Sequence, residues 1–267
     1  MPSRSLATAR RLAARLRRPT SNVVSAIAER VVAAQRRLRP RDVQRKGVGD
    51  FVTSVDVVCE RTLRAALRTL LPEAGFLGEE TAAAELDRDF VWVVDPIDGT
   101  SNYLHGGDRW CVAGALAEGG RPVVAAVYRP VGEELFTAIA GHGAWLNGKR
   151  VRVSEGDSLS GARFMGNRKS LGPLEDAGIQ PIVDGTLPLQ LRLAYVAAGR
   201  LDGAVSVGAR HDWDLAAGDL LVHEAGGVAG DTTGKVYVYN RQQTWQQGLV
   251  AANATRHSLT LHALGTS

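Results

Sequence analysis

Residues 92–100 read Trp92-Val93-Val94-Asp95-Pro96-Ile97-Asp98-Gly99-Thr100. This segment constrains the fold more than any other in the chain. An apolar run of strand length enters Asp95, and Pro96 removes a ladder donor and stops the strand there. Asp98 then returns a second carboxylate to the same edge. Gly99 permits a tight turn, and Thr100-Ser101-Asn102 can open a helix whose free N–H groups cradle an anion. Two unit charges about 4 Å apart repel by about 4 kcal/mol at an effective dielectric near 20. Two carboxylates beside an anion cradle therefore make sense with a cation between them. Mg²⁺ suits such oxygens and bridges readily to phosphate. The plainer alternative is that Asp95 and Asp98 are turn and cap residues.

Further acids fall at element ends. Gly78-Glu79-Glu80 follows a short apolar run. Asp50 and Asp56 flank a helix start, where Asp50 alone would serve as a cap. His211-Asp212-Trp213-Asp214 precedes an apolar helix, and Asp214 there is favoured by the helix dipole without any function. His211 fits a substrate contact and a structural role equally well.

The rest of the chain supplies a frame for these acids. With 267 residues, 45% hydrophobic and 22% charged, it can bury one large core or two packed subdomains. No apolar run approaches the roughly 20 residues of a membrane span. Cys59 and Cys111 are isolated, offer no zinc spacing, and read as buried apolar residues. The net charge of +4 is concentrated at the start: residues 1–20 carry Arg4, Arg10, Arg11, Arg15, Arg17 and Arg18 and no acid. That stretch fits a loose tail, part of the first helix or a targeting peptide.

The periodicity predicts helices over residues 21–38, with Ser21 or Asn22 as cap, and over residues 53–71. Strands are expected at 76–77, 90–94, 111–117, 123–128 and 134–139, then a turn-rich hairpin over 141–148. The second half alternates: helix 187–198, strand 203–207, helix 215–225, strand 249–252, helix 254–264. The natural seam lies near residues 151–161, and the pattern predicts layered sheets covered by helices.

The order of the acidic motifs resembles that of the inositol monophosphatase family. The Asp95–Thr100 segment with its preceding Trp92 matches one family signature. Trp213-Asp214-Leu215-Ala216-Ala217-Gly218 leading to Glu224-Ala225-Gly226-Gly227 matches the other. Gly78-Glu79-Glu80, residues 50–56, residues 143–148 and residues 250–253 also match in order, so the resemblance covers residue 21 to the C-terminus.

The resemblance implies an α/β (α+β) layered α-β-α-β-α sandwich. Residues 21–155 would form an N-terminal subdomain with the metal site, residues 156–267 a C-terminal subdomain completing it, and residues 1–20 a basic tail. It also implies Mg²⁺-dependent phosphate monoester hydrolysis, with two or three ions per site, Mn²⁺ as a substitute and Li⁺ as inhibitor. By position, Glu79, Asp95, Asp98, Asp214 and the Ile97 carbonyl would hold metal. Gly99 and Thr100 would bind phosphate, with Asp98 and Asp214 beside the substrate. Glu79, Thr100 and Asp56 would serve catalysis, Thr100 and Asp56 holding the attacking water. The expected partners are a small phosphorylated metabolite and a second copy in a homodimer, in the cytoplasm, without membrane or nucleic acid.

The substrate side departs from the family pattern. Residues 204–210 contain no acid where inositol phosphatases carry one, and Leu187-Pro188-Leu189 replaces a small hydroxyl-bearing segment. Arg168, Lys169 and Arg210 either add charge for a second phosphate or are surface residues. Arg45 and Lys46 compete for one lysine position before Asp50. Inositol-1-phosphate is the default substrate, with a 3′(2′),5′-bisphosphate nucleotide, fructose-1,6-bisphosphate and histidinol phosphate as alternatives, and a silent binding protein as the alternative outside catalysis.

Overall fold

The computed structural model describes residues 6–37, 43–47, 50–81, 83–183 and 187–265, with residues 6–10, 43–47 and 50–53 described by backbone alone. In chain order the first half holds α1 (Leu6–Gln35), β1 (Val43–Gly47), β2 (Asp50–Thr53), α2 (Ser54–Leu70), β3 (Gly75–Gly78), β4 (Phe90–Asp98) and α3 (Thr100–Leu104). It continues with β5 (Cys111–Glu118), β6 (Arg121–Arg129), β7 (Glu134–Ile139), β8 (Gly143–Leu146) and β9 (Lys149–Val151). The second half holds β10 (Arg163–Gly166), α4 (Arg168–Glu175), β11 (Gln180–Val183), α5 (Leu189–Ala197), β12 (Gly203–Ser206) and β13 (Arg210–His211). It ends with α6 (Ala216–Glu224), β14 (Val228–Gly230), β15 (Trp245–Gln246), β16 (Leu249–Ala252) and α7 (Ala254–Ala263).

β3 through β9 form a seven-stranded sheet in sequence order, and a five-stranded sheet runs β11-β10-β12-β16-β14. Side chains alternate across a strand, so a sheet covered on both faces is apolar throughout. On β4, Phe90, Trp92 and Val94 join Val24, Ile27 and Val31 of α1 and Leu63 and Leu67 of α2. The intervening Val91 and Val93 join Leu191 and Leu193 of α5 and Leu221 of α6. The same two helices meet the second sheet through Ala204, Leu249 and Ala251. α4 and α7 cover its far face, with Phe164, Leu171, Val205 and Val250 in the outer core. The result is five layers, α-β-α-β-α. A small residue lets the two helices of the middle layer approach closely: a Cβ on Gly218 of α6 would lie 2.5 Å from Leu193 Cβ of α5.

The first helix differs from expectation. It begins at Leu6, not near Ser21, and carries Pro19 inside it. Buried Ala13, Leu16, Thr20, Val24, Ile27, Ala28 and Val31 follow one helical face straight through the proline. Their packing offsets the one backbone bond that proline removes. Ser21 therefore does not cap; its hydroxyl donates to Arg18 O at 3.0 Å. Of the readings offered for residues 1–20, residues 6–20 take the second and extend the first helix, with Arg11, Arg15 and Arg18 exposed.

β4 also departs from the reading that Pro96 ends the strand. It runs on to Asp98, pairing Asp95 with Ala113 and Asp98 with Cys111. Three steps on β4 thus span two on β5, an extra residue of the β-bulge kind. β10, α4 and β11, in a stretch given no elements from sequence, are regular.

Candidate functional site

The bulge in β4 has a direct consequence for its acids. In a regular strand, residues three apart face opposite sides. The extra residue turns Asp98 back toward the face that carries Asp95. β3 runs parallel to β4 with Gly78 opposite Val94, so the chain delivers Glu79 beside Asp95. Asp56 is buried in the first turn of α2. Asp214 closes a 3₁₀ turn over Asp212–Asp214 between β13 and α6.

These five carboxyl groups share one electrostatic neighbourhood. Burial foremost, then Glu79, Asp98, Asp214 and Asp56, push the Asp95 carboxyl well above the usual carboxylate range. Asp95 Oδ1 is buried and has no hydrogen-bond partner among the described residues. Burial and then Asp214 raise Asp98 to about 7, against the backbone amides of Gln190 and Leu189 and the charge of Arg192. Gln190 N–H donates to Asp98 Oδ2 at 2.7 Å. Asp214 Oδ2 accepts the His211 N–H at 2.9 Å.

An all-oxygen donor set around an orphaned buried carboxylate oxygen fits a hard divalent cation. Among the described residues, no three His, Cys, Asp or Glu side chains converge closely enough to form a finished ligand shell. The acids thus make a field suited to a cation rather than a closed cage.

The Gly99–Thr100 turn lies at the same edge. Gly99 has φ +99°, and a Cβ there would stand 2.8 Å from Arg109 O, so both conformation and space require glycine. Thr100 opens α3; its Oγ1 donates to Ile97 O at 2.9 Å and lies 3.3 Å from Asp56 Oδ1. A cleft of about 460 Å³ opens beside Asp98 and Gly99 and is walled by Ser101, Asn102, Leu187–Leu189 and Arg192. Buried Arg192 donates through Nε to Leu187 O at 2.6 Å.

Other residues named from sequence take different places. Arg168 and Lys169 are exposed in the first turn of α4 and do not line this cleft. The Arg210 guanidinium is held by Ser206 Oγ, through Nε at 3.1 Å and Nη2 at 2.5 Å. Arg45, Lys46 and Asp50 lie in β1 and β2, whose side chains are outside the described residues. Cys59 and Cys111 are free and buried. The Cys59 thiol, which donates to Pro96 O at 3.3 Å, has its pKa raised by burial and by Asp56, Asp95 and Glu60, so it stays protonated.

Two residues missed from sequence hold the acids in place. Glu60 is fully buried on α2. Its carboxylate accepts the Glu80 and Thr81 N–H groups, each at 2.7 Å, and the Thr81 hydroxyl. It latches the loop that bears Glu79. The sequence signal was a charged residue on the same helical face as Cys59, Leu63 and Leu67. Gln190 is buried at the start of α5. Its Nε2 donates to Trp213 O at 2.6 Å and its Oε1 accepts Gly218 N–H at 2.7 Å. Through backbone and side chain it joins the Asp98 strand edge to the Asp214 turn. Nothing in the local pattern marked it.

Layered sheets with clustered oxyacids at a strand edge, next to a glycine turn that opens a helix, agree with the phosphatase class expected from the sequence. Comparison with known proteins gives the family. Residues 16–266 match the inositol monophosphatase family. The chain is 36% identical to inositol monophosphatase 2 of Solanum lycopersicum over 248 residues, 86% of this chain and 91% of that protein. It is 40% identical to the Nus factor SuhB of Escherichia coli strain K12 over 204 residues, 72% of this chain and 76% of that one. The solved structure of the Thermotoga maritima IMPase superposes with TM-score 0.81 at 28% identity, covering 91% of this chain and 94% of that one. The chain belongs to the inositol monophosphatase family and is a phosphatase of its hydrolase class. Among the described residues, no helix is long and apolar enough to cross a membrane.

Proposed function

We propose that this phosphatase hydrolyses a small phosphate monoester with Mg²⁺ held by Glu79, Asp95, Asp98, Asp214 and the Ile97 carbonyl. The observation that carries the reading is Asp95: a buried carboxyl with an unpartnered oxygen, crowded by four other acids. Such crowding is costly for a protein without a cation and useful with one. Bound Mg²⁺ would lower the pKa of the attacking water and screen the phosphate charge. The Gly99–Thr100 turn receives the phosphate through backbone N–H and hydroxyl. Thr100 and Asp56 orient the attacking water. Mn²⁺ substitutes for Mg²⁺ and Li⁺ inhibits, and the working form is a cytoplasmic homodimer.

Inositol-1-phosphate is the reference substrate, and a tomato relative named inositol monophosphatase 2 supports an inositol monophosphate in general. Two features argue for comparing other leaving groups with it: the cleft is lined by apolar Leu187–Leu189, and residues 204–210 carry no acid. The SuhB-named relatives support a second reading, a role in transcription apart from catalysis. The exposed Arg11, Arg15 and Arg18 on α1 are the surface such a role would use, and binding through them would weaken steeply with salt.

The deciding experiment measures phosphate release with and without Mg²⁺ from inositol-1-phosphate, histidinol phosphate, fructose-1,6-bisphosphate and adenosine 3′,5′-bisphosphate. Mg²⁺-dependent release is expected. Asp95→Asn should lower kcat by about 10²–10³, the range for losing one group that stabilises the transition state. Release that ignores Mg²⁺, or survives Asp95→Asn, would refute the reading.

A further inference from the structure

Arg129 ends β6 at a point where three parts of the chain meet. Its guanidinium makes four hydrogen bonds. Nε donates to Asp108 O at 3.1 Å, and Nη2 donates to Asp108 Oδ2 at 2.7 Å. Nη1 donates to Glu134 Oε2 at 3.2 Å and to Tyr195 Oη at 3.1 Å. The Tyr195 hydroxyl in turn donates to Glu134 Oε2 at 2.9 Å, and Arg200 also pairs with Glu134. Burial raises the Glu134 carboxyl, but hydrogen bonds from Arg200, Tyr195 and Arg129 outweigh it and leave the group below the usual carboxylate range. The Arg129 side chain is 18% exposed and that of Glu134 12%, so solvent screens this pair less than a surface ion pair.

The segments joined here both reach the cleft beside Asp98. Asp108 lies in the loop after α3, whose Asn102 and His105 line that cleft. The loop is tied to Asn102: Arg109 N–H donates to Asn102 Oδ1 at 2.8 Å, and Gly107 N–H donates to Asn102 O at 2.9 Å. Arg109 O is the atom that leaves no room for a Cβ on Gly99, so the loop backs the turn directly. Tyr195 lies on α5, three residues after Arg192, and residues so spaced are neighbours on a helix surface. Arg192 and Leu189 of α5 line the cleft. Pro188 Cγ, next to α5, would stand 3.3 Å from the same Cβ on Gly99. The two segments thus converge on Gly99 from different elements.

We infer that Arg129 is a positioning residue for the phosphatase reaction: it clamps the loop behind the Gly99 turn to α5 and so fixes the width of the cleft that receives the leaving group. The inference rests on the reading of this cleft as the substrate site. Arginine suits the task because its planar fork reaches both segments at once, which the point charge of lysine does not.

The test uses the whole chain with Arg129→Met, Arg129→Lys, Asp108→Asn and Tyr195→Phe. Steady-state kinetics with Mg²⁺ use whichever of the four esters named above the parent chain cleaves fastest. Arg129→Met should lower kcat/KM by about 10- to 100-fold, the range for misplacing a substrate by about 1 Å. Most of that loss should fall in KM, with the Mg²⁺ concentration for half-maximal activity unchanged. Arg129→Lys should fall between parent and Arg129→Met. Asp108→Asn and Tyr195→Phe should each raise KM, with effects that are coupled in the parent and additive in Arg129→Met. These two also serve if Arg129→Met does not fold, because Asp108 is 54% exposed and Tyr195→Phe keeps its ring. Hydrogen exchange reads the clamp without turnover: residues 105–109 and 189–197 should both exchange faster in Arg129→Met, and residues 90–98 should not.

An unchanged kcat/KM, a loss confined to kcat, or additive effects of the two single-arm variants in the parent would overturn the role. If the parent chain releases no phosphate from any of the four esters, the phosphatase chemistry proposed above fails. Exchange then decides the clamp: unchanged rates at residues 105–109 and 189–197 overturn it, and faster rates at both support it.

Discussion

The strand edge at residues 95–100 and the wall at residues 187–214 border the same acids but are built differently. At the edge, one short segment supplies two carboxyls, a left-handed glycine and a helix start, and a single extra residue in β4 sets their facing. The wall assembles groups from α5, β13 and α6. These meet only because Gln190 binds Asp98 on one side and the Trp213 and Gly218 backbone on the other. Contiguous geometry makes the edge rigid in its chemistry. In this reading the edge carries the phosphate chemistry and the wall the leaving-group choice.

The largest effect that would sharpen this contrast comes from the latch behind the edge. Glu60→Ala removes three hydrogen bonds from the loop after β3. It should raise the Mg²⁺ concentration for half-maximal activity by about 10- to 100-fold, the range for residues that orient metal ligands. Mg²⁺ titration by calorimetry gives the same shift without turnover. An unchanged affinity would mean that Glu79 does not depend on the latch.

Next comes the link between the two regions. Gln190→Ala strands the Trp213 carbonyl and the Gly218 amide, at a cost of about 1–3 kcal/mol for each buried group left unpaired. Chemical denaturation reads that loss. KM should move more than the Mg²⁺ requirement, because the Asp98 contact is made by backbone and survives. Equal movement of both would break the proposed division between edge and wall.

The smallest effect is a pH slope in the metal-free protein. Asp98 has a folded pKa raised from 3.8 to about 7. A raised carboxyl favours the folded state most below its unfolded pKa and loses that contribution as pH rises through the folded value. The metal-free chain should therefore lose Tm relative to Asp98→Asn between about pH 4 and pH 7. Parallel Tm curves for the two proteins would show that the Asp98 carboxyl is not raised by its surroundings.

Much of the architecture follows from periodicity. β5 to β7, α2, α6, β16 and α7 lie within a residue or two of their sequence-derived positions, because each has an uninterrupted apolar pattern and clear end signals. α1 starts well before the expected cap at Ser21 or Asn22, because a buried stripe continues on the N-terminal side through Pro19. β10, α4 and β11 were missed because they are short, with 4, 8 and 4 residues. The same distinction runs through the site. Asp95, Asp98, Gly99 and Thr100 are legible because they are neighbours in sequence. Glu60 left a faint trace as a charge on an apolar helical face, and Gln190 and Arg129 left none.

The sequence by itself determined the acids, the glycine between them and the anion, and the family. These depend on residue type and on spacings of a few residues, which local backbone geometry converts directly into position. Only the tertiary structure decided that β4 runs through Pro96 and brings Asp98 back by an extra residue in its ladder, that Glu60 and Gln190 hold the acid-bearing loops, and that His211 packs against two indoles. Those facts depend on strand register and on packing between segments far apart in the chain, and no local pattern encodes them.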